Sequence, residues 1–484
     1  MTPALIFFTF LGYTLLLFAV SYFTSRDADN ESFFTGNRIS PWYVVAYGMI
    51  GASLSGVTFI SVPGAVGKDK FSYLMIVFGY FIGYLLIIKI LLPLYYRLNV
   101  TSIYSYFKER FGFFSYKSAA SYFLLSRLIG ASFRMFLIIN VLQAFVFDSW
   151  HIPYWITIAF FIGLILLYTF KAGIKTIVWT DTLQTTFMLV SVVLTIYFIA
   201  QKMNIDLAGL VEKVTKSEYS QVLFTDWHHP RFFIKQFVAG IFISIVMTGM
   251  DQDMMQKNLT CRNLRDSQKN MFWMSLTLIP INMVFLFLGA SLYIFAQYSG
   301  ISIPAKADNL FPAVAFGSLG SVAGITFIIG LVAAAYSSAD SALTALTTSF
   351  SVDILNIRDS GKYSPAKQEK IRKTVHIGIA FTLFLIILLF SYIAKDSVIN
   401  GLFRIAGYTY GPLLGMFAFG IFTKHRINDR LVIPVVVAAP LISYLLNYYS
   451  ISLFNGYRFG FELLLLNGLL TYTGLYLIRL KSAS

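Results

Sequence analysis

Leu331 to Ile354 reads LVAAAYSSADSALTALTTSFSVDI. The run is apolar enough for a membrane, yet it is dense in hydroxyls, with the carboxylate of Asp340 among them. At about 100° per residue, Ala334, Ser337, Ser341, Thr344, Thr348 and Ser351 share one helical face, with Ser338 and Asp340 on its flanks. A helix surrounded by lipid has no use for such a stripe. A helix bordering a site for a small hard cation does, because carboxylate and hydroxyl oxygens are the ligands such ions prefer. The stripe holds no Cys or His, which argues against a transition metal. The competing reading is a Ser-rich packing face with Asp340 paired to an arginine.

The rest of the chain is of the same kind. Of 484 residues, 57% are hydrophobic and 12% charged, against about 25% charged in a soluble domain. Apolar segments of about 20 residues, the length that crosses a bilayer as a helix, recur from end to end. The composition predicts an all-α polytopic membrane protein. Thirteen spans are expected, near 4–23, 42–66, 72–96, 118–147, 153–170, 176–201, 231–255, 271–299, 321–355, 372–394, 402–422, 430–450 and 459–479. The start, MTPALIFF, has no Lys or Arg ahead of its apolar run. It reads as a retained first span rather than a cleaved signal.

The net charge of +15 would point to nucleic acid in a soluble protein. Here Lys and Arg in cytoplasmic loops account for it, and no nucleic-acid partner is expected. The dense clusters follow odd spans: Arg97, Lys108, Arg110 and Lys117; Lys257, Arg262, Arg265 and Lys269; Arg358, Lys362, Lys367, Lys370, Arg372 and Lys373. That bias predicts an N-terminus outside and a C-terminus in the cytoplasm, in the cell (inner) membrane. The single cysteine, Cys261, forbids an internal disulfide, and the five histidines form no metal-binding spacing. No nucleophile motif or His–acid pair is present, so no enzyme is expected.

Two spans read as broken. The second contains Gly48, Gly51 and Gly56 near its middle, and the seventh contains MTGMDQDMMQ, with Gly249, Asp251 and Asp253. They lie five spans apart, and an odd offset gives two halves opposite topology. Interrupted helices at matching positions of inverted repeats mark a substrate and ion site between them. Unwinding frees backbone groups to bind ligands, and is tolerated only beside a polar cavity. Taken singly, each glycine could instead serve close helix packing.

Charges at membrane depth cost ~2.5–3.5 kcal/mol or more and are functional candidates. Four stand out: Arg134 in the fourth span, Asp181 in the sixth, Asp251 in the seventh and Asp340 in the ninth. Arg134 suits a carboxylate clamp or a structural ion pair. Arg127 sits two turns earlier on the same span, and the sequence does not choose which of the two faces a cavity. Asp181 reads equally as a ligand or a solvated helix-start acid. Asp251 and Asp253, beside Lys257, read equally as site residues or a solvated helix end.

At this point the residues match a known pattern. The run Ala333–Leu355, the loop TSIYSYFKERFG at 101–112, KAGIKTIVWTDTLQ at 171–184 and GYTYGPLLG at 407–415 resemble the sodium:solute symporter family. The motifs are most similar to its bacterial sialic acid branch. The resemblance implies the leucine-transporter fold: two inverted five-helix repeats plus flanking helices. It implies a sodium site made by the carbonyls of Gly51, Leu54 and Ala334 with the hydroxyls of Ser337 and Ser338. It implies a second sodium site at Asp181, Ser338 and Ser341, with Asp340 standing where relatives carry a hydroxyl. That extra carboxylate would strengthen a cation site or take a proton. Ser55, Thr58 and Arg134 match substrate positions, and Asp251 is a further candidate. The chain lacks the Glu and Lys of the sugar branch and the second-span Asp of the proline branch.

The expectation is therefore a sodium-coupled symporter for a small organic solute, with a carboxylate such as a sialic acid first. The alternatives are a neutral sugar, amino acid or vitamin carrier, or a proton-coupled one. The expected organisation is an extra helix and loop at 1–41, repeats at 42–201 and 231–422, an extracellular loop at 202–230 and two C-terminal helices at 423–484. A monomeric functional unit in the bilayer is expected.

Overall fold

Apolar runs of this length fold as helices because a backbone in hydrocarbon must satisfy its own hydrogen bonds. The computed structural model describes residues 2–24, 30–100, 102–357, 363–393, 398–457 and 459–480. Each expected span corresponds to a helix or a bent helix pair among them. We number them α1 (Pro3–Thr24), α2 (Trp42–Asp69), α3 (Tyr73–Leu98), α4 (Phe113–Trp150), α5 (Tyr154–Phe170), α6 (Thr176–Lys202), α7 (Phe233–Gly249 with Gln252–Asn258), α8 (Leu264–Tyr298), α9 (Ser321–Ile354), α10 (Pro365–Tyr392), α11 (Gly401–Thr409 with Gly411–Phe422), α12 (Asp429–Tyr448) and α13 (Leu463–Leu477). The halves of α7 meet at 68° and those of α11 at 43°.

The helix that carries the hydroxyl run is the axis of the bundle. α9 packs against α1, α2, α4, α6 and α10, and every residue from Leu331 to Ser349 is buried. A helix enclosed on all sides needs no single apolar stripe, so its hydroxyls face neighbouring helices rather than a wide aqueous channel. α2 is likewise enclosed, with 89% of its apolar window buried, whereas only 33% of α10 and 22% of α12 is. The latter two form the rim, with exposed residues such as Phe381, Leu389 and Leu441 turned outward.

The glycines of α2 sit in the right helix but act differently from expectation. Gly48 packs on Asp181 and Val178 of α6, Gly51 on Thr185, and Gly56 on Ile138 of α4. They are contact glycines. The break itself falls at Ser55, whose φ of 50° and ψ of 170° leave the helix. In α7 the interruption follows Gly249, as the sequence suggests.

Two connections hold structure that hydropathy does not reveal. The 202–230 segment contains the helix Leu207–Lys216, capped by Asp206 accepting from the Gly209 N–H at 2.7 Å. The α8–α9 connection contains Leu310–Gly317. One charge assignment is corrected. Lys257, counted above with a cytoplasmic loop cluster, is 1% exposed inside the bundle. Arg358 and Lys362 of the last cluster lie outside the described residues.

α3 and the first half of α7 pack with their backbones in close approach. A Cβ on Gly79 would meet the Phe237 carbonyl, one on Gly83 the Ser244 hydroxyl and Ile241 carbonyl, and one on Gly240 the Ile76 carbonyl. Gly83→Leu should therefore overpack this seam and cost about 1–3 kcal/mol. The expected outcome is a lowered Tm in detergent, and an unchanged Tm would contradict the contact.

Candidate functional site

The break at Ser55 creates the first half of the site. Gly51 to Leu54 are the last residues of the first half-helix of α2, the positions whose carbonyls a helix end frees. Ser55 and Thr58 follow directly and line a cavity with room for about 80 Å³ of water-sized occupants. α3 adds Tyr73, Tyr80 and Tyr84, and α7 adds Ser244 and Thr248. The Tyr84 hydroxyl lies 3.5 Å from both Ser53 Oγ and Thr248 Oγ1, so it bridges the two interrupted helices.

Both arginines of α4 line this cavity, and their surroundings separate them. Arg127 is ion-paired to Asp253, with Asp251 Oδ2 3.6 Å from its other terminal nitrogen. Arg134 is 8% exposed. Among the described residues no carboxylate pairs with it, and its Nε has no hydrogen-bond partner. Arg127 is a neutralised structural cation. Arg134 is a buried guanidinium without an ion-pair partner among the described residues, on the wall of the cavity.

Asp251 takes a different place from the substrate position considered for it. It is fully buried and does not line the cavity. Its carboxylate caps the second half of α7, accepting from the Asp253 and Met254 N–H groups at 3.0 and 3.4 Å. Its other oxygen accepts from the Tyr410 hydroxyl at 2.6 Å. A helix start inside the bundle has orphan N–H groups, and a carboxylate satisfies them better than solvent that is absent there. Neither Asp251 nor Asp253 is a solvated helix end.

The hydroxyls of α9 meet α6 on the far side of α2. Ser337 donates to Asp181 Oδ1 at 2.8 Å, and Ser338 donates to the Ala334 carbonyl at 3.2 Å. Ser341 donates to the Ser337 carbonyl at 2.8 Å, with Asp253 Oδ2 at 3.4 Å. Gly48 and Gly51 rest on the same stretch of α6, at Asp181 and Thr185. So Gly51, Ser337 and Asp181 are brought into one neighbourhood from three helices. Asp340, with 0% exposure, accepts from the Tyr168 hydroxyl of α5 and, at 2.5 Å, from the Ser341 N–H.

Sequence reasoning missed three groups. Lys257 reaches Asp181 Oδ2 at 2.6 Å. Tyr168 reaches Asp340. Tyr73, Tyr80 and Tyr84 recur at spacings that place them on one face of α3, a signal that was available in the sequence.

The sodium:solute symporter family model matches residues 33–430. The chain is 25% identical over 446 residues to the sodium/sialic acid symporter SiaT of Proteus mirabilis, covering 88% of this chain and 86% of that one. It is 24% identical over 470 residues to the sodium/sialic acid symporter NanT of Aliivibrio fischeri, covering 93% and 89%. Its fold matches a solved substrate-bound, outward-open Na+-coupled sialic acid symporter with a TM-score of 0.82, at 19% identity, over 98% of this chain and 97% of that one. The interrupted α2 and α7, five helices apart, fit the two inverted repeats of the leucine-transporter fold. A transporter of sodium with a small organic solute, the chain belongs to the sodium:solute symporter family.

Proposed function

We propose that this carrier imports a carboxylate of the sialic acid class. The observation that carries the reading is Arg134, a buried guanidinium without a carboxylate partner, facing the cavity that Ser55 and Thr58 line. A buried charge of this kind calls for a counter-ion. A solute carboxylate supplies one in bidentate geometry, while Ser55, Thr58 and the α3 tyrosines offer hydroxyls to a polyhydroxylated body. The sialic acid symporters among the relatives support the same class.

Sodium binds in this scheme between the carbonyls of Gly51, Leu54 and Ala334 and the hydroxyls of Ser337 and Ser338. It ties interrupted α2 to α9 and orders the wall that carries Ser55. Solute and sodium then bias one equilibrium, so each raises the affinity for the other. The repeats take the bounds 42–201 and 231–422, one rocking against the other. The N-terminus lies outside, the C-terminus in the cytoplasm of the cell (inner) membrane, and the functional unit is one chain.

Access runs from the side of the 202–230 segment. Phe403 lines the main cavity, a second above it and an outer vestibule of about 1530 Å³ flanked by Arg231, Lys306 and Phe461. Phe403 and Phe461 stand edge to face at 4.8 Å between ring centres, at the neck. At the opposite end of α9, Asp353 accepts from Ser102, Tyr116 and Ser349 at 2.8, 2.9 and 2.6 Å. Those bonds tie the end of α9 to α4 and to the segment before it.

Two substitutions test the reading in proteoliposomes. Arg134→Ala removes hydrogen bonds worth roughly 1.5–3 kcal/mol each to a charged group, so sialic acid affinity should fall about ten- to hundredfold. Wild-type affinity in that variant would make Arg134 structural. Ser338→Ala deletes one oxygen ligand and should raise the sodium concentration that half-saturates uptake by about two- to tenfold, the equivalent of one net hydrogen bond. Unchanged sodium activation would remove Ser338 from the site.

A further inference from the structure

The junction of α5, α6, α7 and α9 has the donor set of a cation site. Asp181, Ser337, Asp340 and Ser341 all present hard oxygens there, and all are buried. The protein places its own cation in the same position. Lys257, on the second half of α7, is 1% exposed, and its ammonium lies 2.6 Å from Asp181 Oδ2. All seven residues of its half-helix, Gln252–Asn258, are buried. The ammonium therefore has no route to water by a simple change of rotamer.

We propose that Lys257 is a tethered cation that replaces a second sodium, so that the carrier moves one sodium per solute. The proposal rests on the sodium-coupled reading above and adds its stoichiometry.

The charges of the cluster decide the count. With both carboxylates ionised, Asp181 and Asp340 bring two negative charges and Lys257 one positive, while Asp253, beside Ser341, is neutralised by Arg127. One negative charge remains, and one sodium at the adjacent Ser338–Ala334 position neutralises it. A second sodium would leave a net positive charge in the membrane interior, which is costly. Without the ammonium, the same two carboxylates would call for two sodium ions.

The hydrogen bonds agree. Asp181 spends one oxygen on Lys257 and the other on the Ser337 hydroxyl. Asp340 spends its oxygens on Tyr168 and the Ser341 N–H. Each carboxylate oxygen already has a donor from the protein. A sodium ion entering here would have to displace a covalently attached competitor whose effective concentration is high. The position of Lys257 in an interrupted helix also makes this cation part of the moving repeat, so it need not be released at each turnover.

The test counts sodium ions directly. Equilibrium binding of radioactive sodium to the purified full-length protein should saturate at one ion per chain. Sodium activation of sialic acid uptake should have a Hill coefficient near one. Lys257→Met should bind two ions per chain and raise that coefficient toward two, while Lys257→Arg, which keeps the charge, should stay at one. Two ions per wild-type chain would overturn the proposal, and that count stands even if Lys257→Met fails to fold. One ion in a folded Lys257→Met variant would also overturn it, since the carboxylates would then not need the ammonium or a substitute. No sodium binding to the wild type would overturn the sodium-coupled reading itself, a result distinct from finding two.

Discussion

The second half of α7 is held in the bundle by two ion pairs that have no solvent to fall back on: Arg127 with Asp253, and Lys257 with Asp181. Each charge at this depth would cost ~2.5–3.5 kcal/mol or more alone. Removing one partner of a buried pair leaves the other stranded, at about 3–5 kcal/mol. The half-helix therefore has one low-energy position, fixed on α4 by one pair and on α6 by the other. Its remaining polar groups follow. Gln252 accepts from the Ile103 N–H at 3.0 Å, and Gln256 donates to the Phe34 carbonyl at 2.8 Å. The carbonyls freed by the interruption are taken by tyrosines, Tyr95 at Gly249 and Tyr104 at Met250.

Against that compensated set, Arg134 stands out. It shares its helix face and its cavity with Arg127, yet lacks an acidic partner among the described residues. Arg127 is matched internally, and Arg134 is left without an ion-pair partner among the described residues. In the proposed cycle the solute carboxylate completes that pair, as sodium completes the oxygen set between α2 and α9. In that cycle the solute binds against α2 and α4 and sodium against α2 and α9, so both ligands act on the interrupted α2. Neither can bind its full set of partners unless those helices hold one relative position, and that shared requirement is the physical source of coupling.

The sequence made the architecture legible because the bilayer imposes it. Apolar length alone locates the helices, and the interruptions in α2 and α7 show as Gly and Asp inside apolar runs. The candidate site is legible where chemistry conflicts with environment: Arg134 and the hydroxyls of α9 stand out in apolar runs. It was illegible where the environment itself was misjudged. Lys257 lies at a span end that hydropathy assigns to the cytoplasmic boundary, where the sequence presents it as a topogenic loop charge. Only the bend at Gly249 turns that end inward. The same bend governs Asp251: the sequence shows an acid beside a break, not the orphan N–H groups it caps. The glycines of α2 marked the right helix, but Ser55, not a glycine, adopts the positive φ at the break.

The central claim is that sodium and an anionic solute bind as a coupled pair across α2 and α9. It is tested most directly by titrating sialic acid into the purified protein by calorimetry, in sodium chloride and in potassium chloride of equal ionic strength. Coupling of roughly 1–3 kcal/mol predicts affinity about 5- to 150-fold tighter in sodium. Saturating sialic acid should raise the affinity for sodium by the same factor. Equal affinities in the two salts would contradict the account.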